Sequence, residues 1–345
     1  VTITGNGGAA TTIVSLGAVT INAGGSNLTV TANNVAAGGT TGITQTGAIT
    51  DNAVGSNITF TSNNIINQTG AITLVANSGG TAANITYDTT TGNKTSSIVG
   101  GALTIATNTS SAAINYTMLS AGSALNPGAI GTSSIVLPGT ITIDNTYGST
   151  SGTKASGYIT ASVANRLVDL ATVSVGVTIN AAIFSSGNIT INGAANANQG
   201  IGISAVMTST SGAVTLTGAT TNNYGVYDPS SLITASSITI TGTSTVAAAW
   251  DVYVGPMTIN SAAVGGSITI TGNVINTPGA NPGIYQAGAI TGVSGSNISF
   301  ISNNRIDQNG AITLAANTSG TASNVIYDVT TGNKLTTIAT APLSI

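Results

Sequence analysis

The sequence predicts an all-β chain wound as a parallel β-solenoid, and three observations carry that prediction. Short apolar–polar alternating segments follow one another along all 345 residues. Corresponding segments recur at intervals of roughly 22–31 residues, which is the period of stacked coils and not of a globule. One long passage is also written twice. Residues 55–98, "GSNITFTSNNIINQTGAITLVANSGGTAANITYDTTTGNKTSSI", reappear at 295–338 with 29 of 44 positions identical and no gap.

The alternating unit is a strand of four or five residues opened by a small residue. "GAVTI" (17–21), "SNLTV" (26–30), "GAITL" (70–74), "GNITI" (187–191) and "GSITI" (266–270) are examples. Period-two alternation puts two aliphatic side chains on one face and the intervening Thr on the other. Gly, Asn and Ser clusters then end each strand. The only segment with a helix-like spacing is "SVANRLVDLATV" (162–173), where Arg166 and Asp169 stand three apart; a strand or an inserted loop fits it as well.

Spacing sets the expected stacking. The interval from Leu28 to Ile58 equals that from Ile268 to Ile298, and each is one coil. Strands one coil apart stack about 4.8 Å from each other. Ile58 is therefore expected on Leu28 and Phe60 on Val30, inside one core. At the same spacing Asn63 falls over Asn33, and Asn303 over Asn273. These four Asn residues are expected to point inward and form ladders at a turn, each amide giving and accepting a hydrogen bond.

The two copies separate inside from outside. Thr59/Ser299, Asn67/Asp307 and Thr69/Asn309 exchange one polar residue for another. Ile65/Arg305 cannot both be core, so that position faces out or lies at a corner and Ile66/Ile306 face in. The similarity extends backwards through "VTITG" (1–5) with "ITITG" (238–242) and "GITQTGAIT" (42–50) with "GIYQAGAIT" (283–291). Residues 1–98 thus match about 238–338, and 99–237 are the unmatched part of a unit of about 240 residues, with an insertion expected near 144–173. The whole chain, 1–345, reads as one continuous solenoid of about 13 coils. Val1 opens in what reads as mid-strand, so the chain is taken as a mature piece or a segment of something longer.

Composition narrows the function classes. Charged residues are 4% of the chain and the net charge is −3, which leaves no basic stripe for nucleic acid and no polybasic face for a membrane. Mean hydropathy is +0.38, yet no run approaches the roughly 18 apolar residues of a membrane helix. No partner of either class and no membrane insertion is expected. With no His and no Cys, Ser-His-Asp and Cys-His catalysis and the usual zinc and copper ligand sets are missing. The eight Asp (51, 88, 144, 169, 228, 251, 307, 328) are scattered, and the calcium-binding solenoid nonapeptide does not occur. No catalytic, cofactor or metal site is expected. Two carboxylates meeting across coils would still suit a polysaccharide lyase or hydrolase. "YD" at 87–88, 227–228 and 327–328 reads as a strand-ending turn.

Thr-aliphatic-Thr recurs, as in "TIT" at 2–4, 140–142, 239–241 and 269–271. Both Thr would face out from a wall. A regular Thr array is one way to present a surface to ice, although Thr is also an ordinary exposed strand residue.

The "GxITI" and "GxVTL" coil phrases, "TNNYGVYD" (221–228) and the scarcity of charge resemble the filamentous-haemagglutinin-like and autotransporter-type repeat adhesins of bacteria. The resemblance covers essentially the whole chain and is one of rhythm and composition. It implies a right-handed parallel β-helix, export, and a place on or outside the cell as stalk, adhesin or biofilm matrix fibre. Three functions follow as expectations. The first is a stiff structural or adhesive fibre whose partner is itself, by axial stacking or tandem repeats, together with a host or neighbouring cell surface or its glycans. The second is an ice- or glycan-binding face, and the third is the polysaccharide enzyme.

Overall fold

The computed structural model describes the chain except for residues 9–11, 35–39, 54, 75–82, 90–96, 106–112, 121–123, 147–174, 196, 246–249, 261–264, 275–282, 316–321, 330–337 and 345. The 162–173 segment therefore lies outside the described residues. Two compact units are present. The first comprises Val1–Ser156 and Val177–Gly187, the second Gly157–Gly176 and Asn188–Ile345. Every named element is a β-strand. Among the described residues no helix is long and apolar enough to cross a membrane.

Both units are parallel β-solenoids. Among the described residues each coil contributes a strand to two walls and, in all but one coil, to a third, where Ile130 makes isolated parallel bridges instead; strands pair in parallel with those one coil away. In the first unit the first wall runs Thr2–Gly7, Asn27–Asn34, Asn57–Ser62, Ala83–Thr89, Ile114–Ser120, Ile141–Asp144. The second wall begins with Val14–Leu16 and Thr41–Gln45, and the third with Val19–Ile21 and Ile49–Asp51. In the second unit the first wall runs from Ile189–Ala195 through Ala213–Thr220, Ser237–Ser244, Ser267–Val274 and Asn297–Ser302 to Asn324–Asp328.

Among the described residues the first wall has six strands in each unit, which gives twelve coils where the length predicts thirteen. One interval between paired residues is long. Leu125 pairs with Val177, nearly twice as far along the chain as the step from Ile98 to Leu125 before it.

Period-two alternation builds the core as columns. Leu28 pairs with Ile58 and Val30 with Phe60, and all four are buried. Ile58 then continues to Ile85, and Phe60 to Tyr87. The Phe60 and Tyr87 rings stack with centroids 5.3 Å apart, and Tyr87 meets Tyr116 at 5.6 Å. In the second unit Phe300 stacks on Tyr327 at 5.1 Å. Ile66 and Ile306 are fully buried, while Ile65 and Arg305 beside them are only half-buried. At the corner before the first wall the chain reverses through Gly55 (φ 75°) and Gly295 (φ 76°), a conformation that side-chain-bearing residues resist.

The outward columns are as regular as the inward ones. In the first wall of the first unit, Thr2, Thr29, Thr59, Thr86, Thr117 and Thr142 form one unbroken file. The third wall of the second unit carries Thr208, Thr234, Thr258, Thr291 and Thr313 in the same way.

Candidate functional site

The chemistry of this molecule is concentrated in the polar and backbone contacts that tie coil to coil. The longest is an Asn ladder in the first unit. Asn57 donates from Nδ2 to Asn27 Oδ1 (2.8 Å), Asn84 to Asn57 (2.8 Å) and Asn115 to Asn84 (3.1 Å), and Thr140 Oγ1 closes the file on Asn115 (2.9 Å). The four Asn precede the inward Leu28, Ile58, Ile85 and Tyr116, which are paired in one file, so the register that aligns the core aligns the amides. The second unit repeats a rung, with Asn324 donating to Asn297 at 2.7 Å. Replacing Asn84 with Leu strands an acceptor on Asn57 and a donor on Asn115. It is expected to cost about 1–2 kcal/mol in chemical denaturation, because the ladder sits at a half-exposed rim.

Asn33, Asn63, Asn273 and Asn303 do not form the inward ladder expected of them. Asn33 is exposed and donates to Asn6 on the preceding coil (3.2 Å). The Asn63 amide donates to the Ala32 carbonyl, and the Asn303 amide to Gly272 (both 3.4 Å). Side chains alternate along the strand: Phe60 is in, Thr61 out, Ser62 in, so Asn63 is out. The buried polar residues at this corner are Ser62 and Asn64, and Ser302 and Asn304 in the other copy. Ser62 Oγ accepts from the Asn64 amide and Ser302 Oγ from the Asn304 amide, each at 3.0 Å.

A second tie follows the second wall. Gln45, Gln68, Gln286 and Gln308 are buried, and each is followed by x-Gly-Ala-Ile-Thr. Every one of these Gln side chains turns back to donate to the carbonyl of the Gly two residues on. Gln68 also donates to Gln45 Oε1 (2.7 Å) and accepts from Tyr87 Oη (2.7 Å) and the Gly101 amide (2.6 Å). Gln308 accepts from Tyr327 Oη (2.8 Å) and the Ala341 amide (3.0 Å) in the same manner. The glycines themselves form a close-approach column. A Cβ on Gly70 would overlap the Gly47 carbonyl oxygen, and one on Gly310 would overlap that of Gly288. Gly70→Ala is accordingly expected to separate two coils and to lower stability by about 2–3 kcal/mol, measurable as a fall in the urea midpoint.

The "YD" pairs divide. Tyr227 ends its strand, and Asp228 Oδ1 accepts from the Ser231 amide (2.8 Å), which makes a turn. Tyr87 is instead buried inside Ala83–Thr89, so Tyr87-Asp88 is strand, not turn. Burial pushes the Asp228 carboxyl up to about 7, partly opposed by the hydrogen bonds from Ser231 and Ser230. Burial also holds Asp251 well above the usual carboxylate range. Asp51 is raised for the same reason, against hydrogen bonds from Ala53 and Ser56. Tyr227 pairs with Tyr253, so Asp228 lies opposite Val254 and Asp251 opposite Gly225. The two residues are offset by three positions, about 10 Å of backbone along the wall. Among the described residues no group of three His, Cys, Asp or Glu could hold a metal ion.

Sequence reasoning misses the Gln corners and the Asn file at positions 27, 57, 84 and 115, although the recurring "Q-x-G-A-I-T" phrase signals the corners and "S-N-aliphatic" signals Asn27 and Asn57. No family model, curated protein or solved structure matches the chain.

Proposed function

We propose that the chain is a structural, non-enzymatic element of a bacterial cell surface or its surroundings, of the repeat-adhesin type, that acts as a stiff fibre by stacking coil on coil. One observation supports this most. Ile85, Tyr87, Ile98 and Leu103 are fully buried beneath the next coil, whereas their counterparts in the second copy are not. Ile338 is 43% and Leu343 53% exposed, and Val325 and Tyr327 are half-exposed. Ile338 and Leu343 are of the core type that coils bury elsewhere in the molecule, which is the kind of contact coil-on-coil stacking would use.

Sedimentation velocity across a concentration series tests the proposal. The chain is expected to assemble, and Ile338→Lys with Leu343→Lys to abolish assembly while leaving the β-sheet circular dichroism spectrum unchanged. Assembly that ignores these charges, or none at any concentration, would refute it.

The unbroken Thr files favour a second reading, a face that binds ice. Thermal hysteresis in the presence of the chain supports it; freezing indistinguishable from buffer rules it out.

A further inference from the structure

The outward column of the second wall in the second unit breaks the pattern of the other walls. Where they carry Thr, it carries Tyr227, Tyr253 and Tyr285 on successive coils. Tyr224 and Trp250 join them from the corner preceding the wall. Ring centroids lie 5.3 Å apart for Tyr227–Tyr253, 4.8 Å for Tyr253–Tyr285, 4.7 Å for Trp250–Tyr285 and 4.6 Å for Tyr224–Tyr227. All five side chains are half-buried, so each keeps an accessible part. The chain has thirteen aromatic residues, so five on one outward strip is a strong concentration.

A polar frame adjoins the strip. Asp307 follows Tyr285 in the column and is held by Arg305 (2.6 Å), and Asn309 Nδ2 donates to Tyr285 Oη (2.8 Å). The internal duplication supplies a control. The first copy has the same core and the same Gln corners, but Thr44 stands where Tyr285 is. Ile65, Asn67 and Thr69 stand where Arg305, Asp307 and Asn309 are. Scaffold residues are retained between the copies while these four outward positions change together, with Asp307 itself buried beneath its pairing with Arg305, and they change into one contiguous patch. Fold alone does not require that patch, because the first unit is built without it.

We infer that the Tyr224–Tyr227–Trp250–Tyr253–Tyr285 strip, with Asn309 and the Arg305–Asp307 pair at its edge, is a binding platform for a neutral polysaccharide. Tyr and Trp rings offer an apolar body with a polar tip. A pyranose offers the complement, a C–H face bordered by hydroxyls. The three Tyr of the column span about 10 Å, the length of a disaccharide unit. The Arg305 and Asp307 charges at the strip's edge neutralise each other, so neither an acidic nor a basic ligand finds a counter-charge there. The site goes beyond the fibre reading and does not depend on it.

The test uses the full chain in pull-downs on chitin, cellulose and neutral xylan, with a glycan array alongside. Trp250 is the only Trp, so its fluorescence reports on the strip itself. Retention on at least one neutral polysaccharide is expected, with a shift in Trp250 emission on adding its soluble oligosaccharide. Trp250→Phe with Tyr253→Ala should reduce retention at least tenfold. So should the four-residue reversal Tyr285→Thr, Arg305→Ile, Asp307→Asn and Asn309→Thr, which restores residues that the first copy already accommodates. Thr44→Ala should change nothing. The inference is overturned if no neutral polysaccharide is retained, if the reversal binds like the parent, or if the strip captures only acidic glycans or protein.

Discussion

Phe60→Ala is expected to destabilise the first unit by about 3–5 kcal/mol, the usual loss for emptying a fully buried aromatic site. Phe60 is completely buried, lies in register between Val30 and Tyr87, and stacks on Tyr87 at an interplanar angle of 18°. Tyr87 is in turn pinned by its hydroxyl to Gln68 and touches Tyr116. Because the column is held on both sides, the cavity cannot close by local collapse. Phe60→Leu should recover most of the loss. Phe300→Ala should cost less, since Tyr327, on which Phe300 stacks, is half-exposed and able to settle into the gap. Urea denaturation of the three variants checks the order. Equal losses at 60 and 300 would show that stacking between coils does not set the energy.

The second large effect is on pH dependence, and its sign is the reverse of ordinary acid unfolding. Asp228 titrates at about 7 in the folded chain against 3.8 as its ordinary value. Between those values the unfolded chain has released a proton that the folded chain still holds. Stability is therefore full below about pH 4 and falls as pH rises through 7. At about 1.36 kcal/mol per unit, the loss from this group is about 4 kcal/mol. Asp251 and Asp51, also raised by burial, act in the same direction. The urea midpoint should be higher at pH 4 than at pH 8, and Asp228→Asn should flatten that slope by removing the ionisable group. A midpoint that rises with pH would contradict the assignment.

Alternation and coil spacing were legible in the residues because both are local. Leu28 and Ile58, or Val30 and Phe60, pair as their shared spacing requires. Asn33 and Asn63 have that spacing too, yet spacing gives only register along the stack and not the side faced. That depends on parity from the strand start, which places Ser62 and Asn64 inside and Asn63 outside. The Gln corners were hidden for another reason: a buried Gln is recognisable only when its partners, the Gly carbonyl and the Tyr hydroxyl one coil on, are known. The aromatic strip was hidden by unequal coils. The step from Tyr253 to Tyr285 is longer than the step from Tyr227 to Tyr253, so no fixed period aligns the three.

The central claim is that these coils stack through an open face that takes another coil. Cryo-electron microscopy of the chain at high concentration, combined with fibre diffraction, tests it most directly. The account predicts filaments whose strands run across the long axis, with a reflection near ~4.8 Å along it and the same spacing maintained through each junction. Discrete monomers at every concentration, or filaments joined side to side with the coil carrying Ile338 and Leu343 left bare, would contradict it.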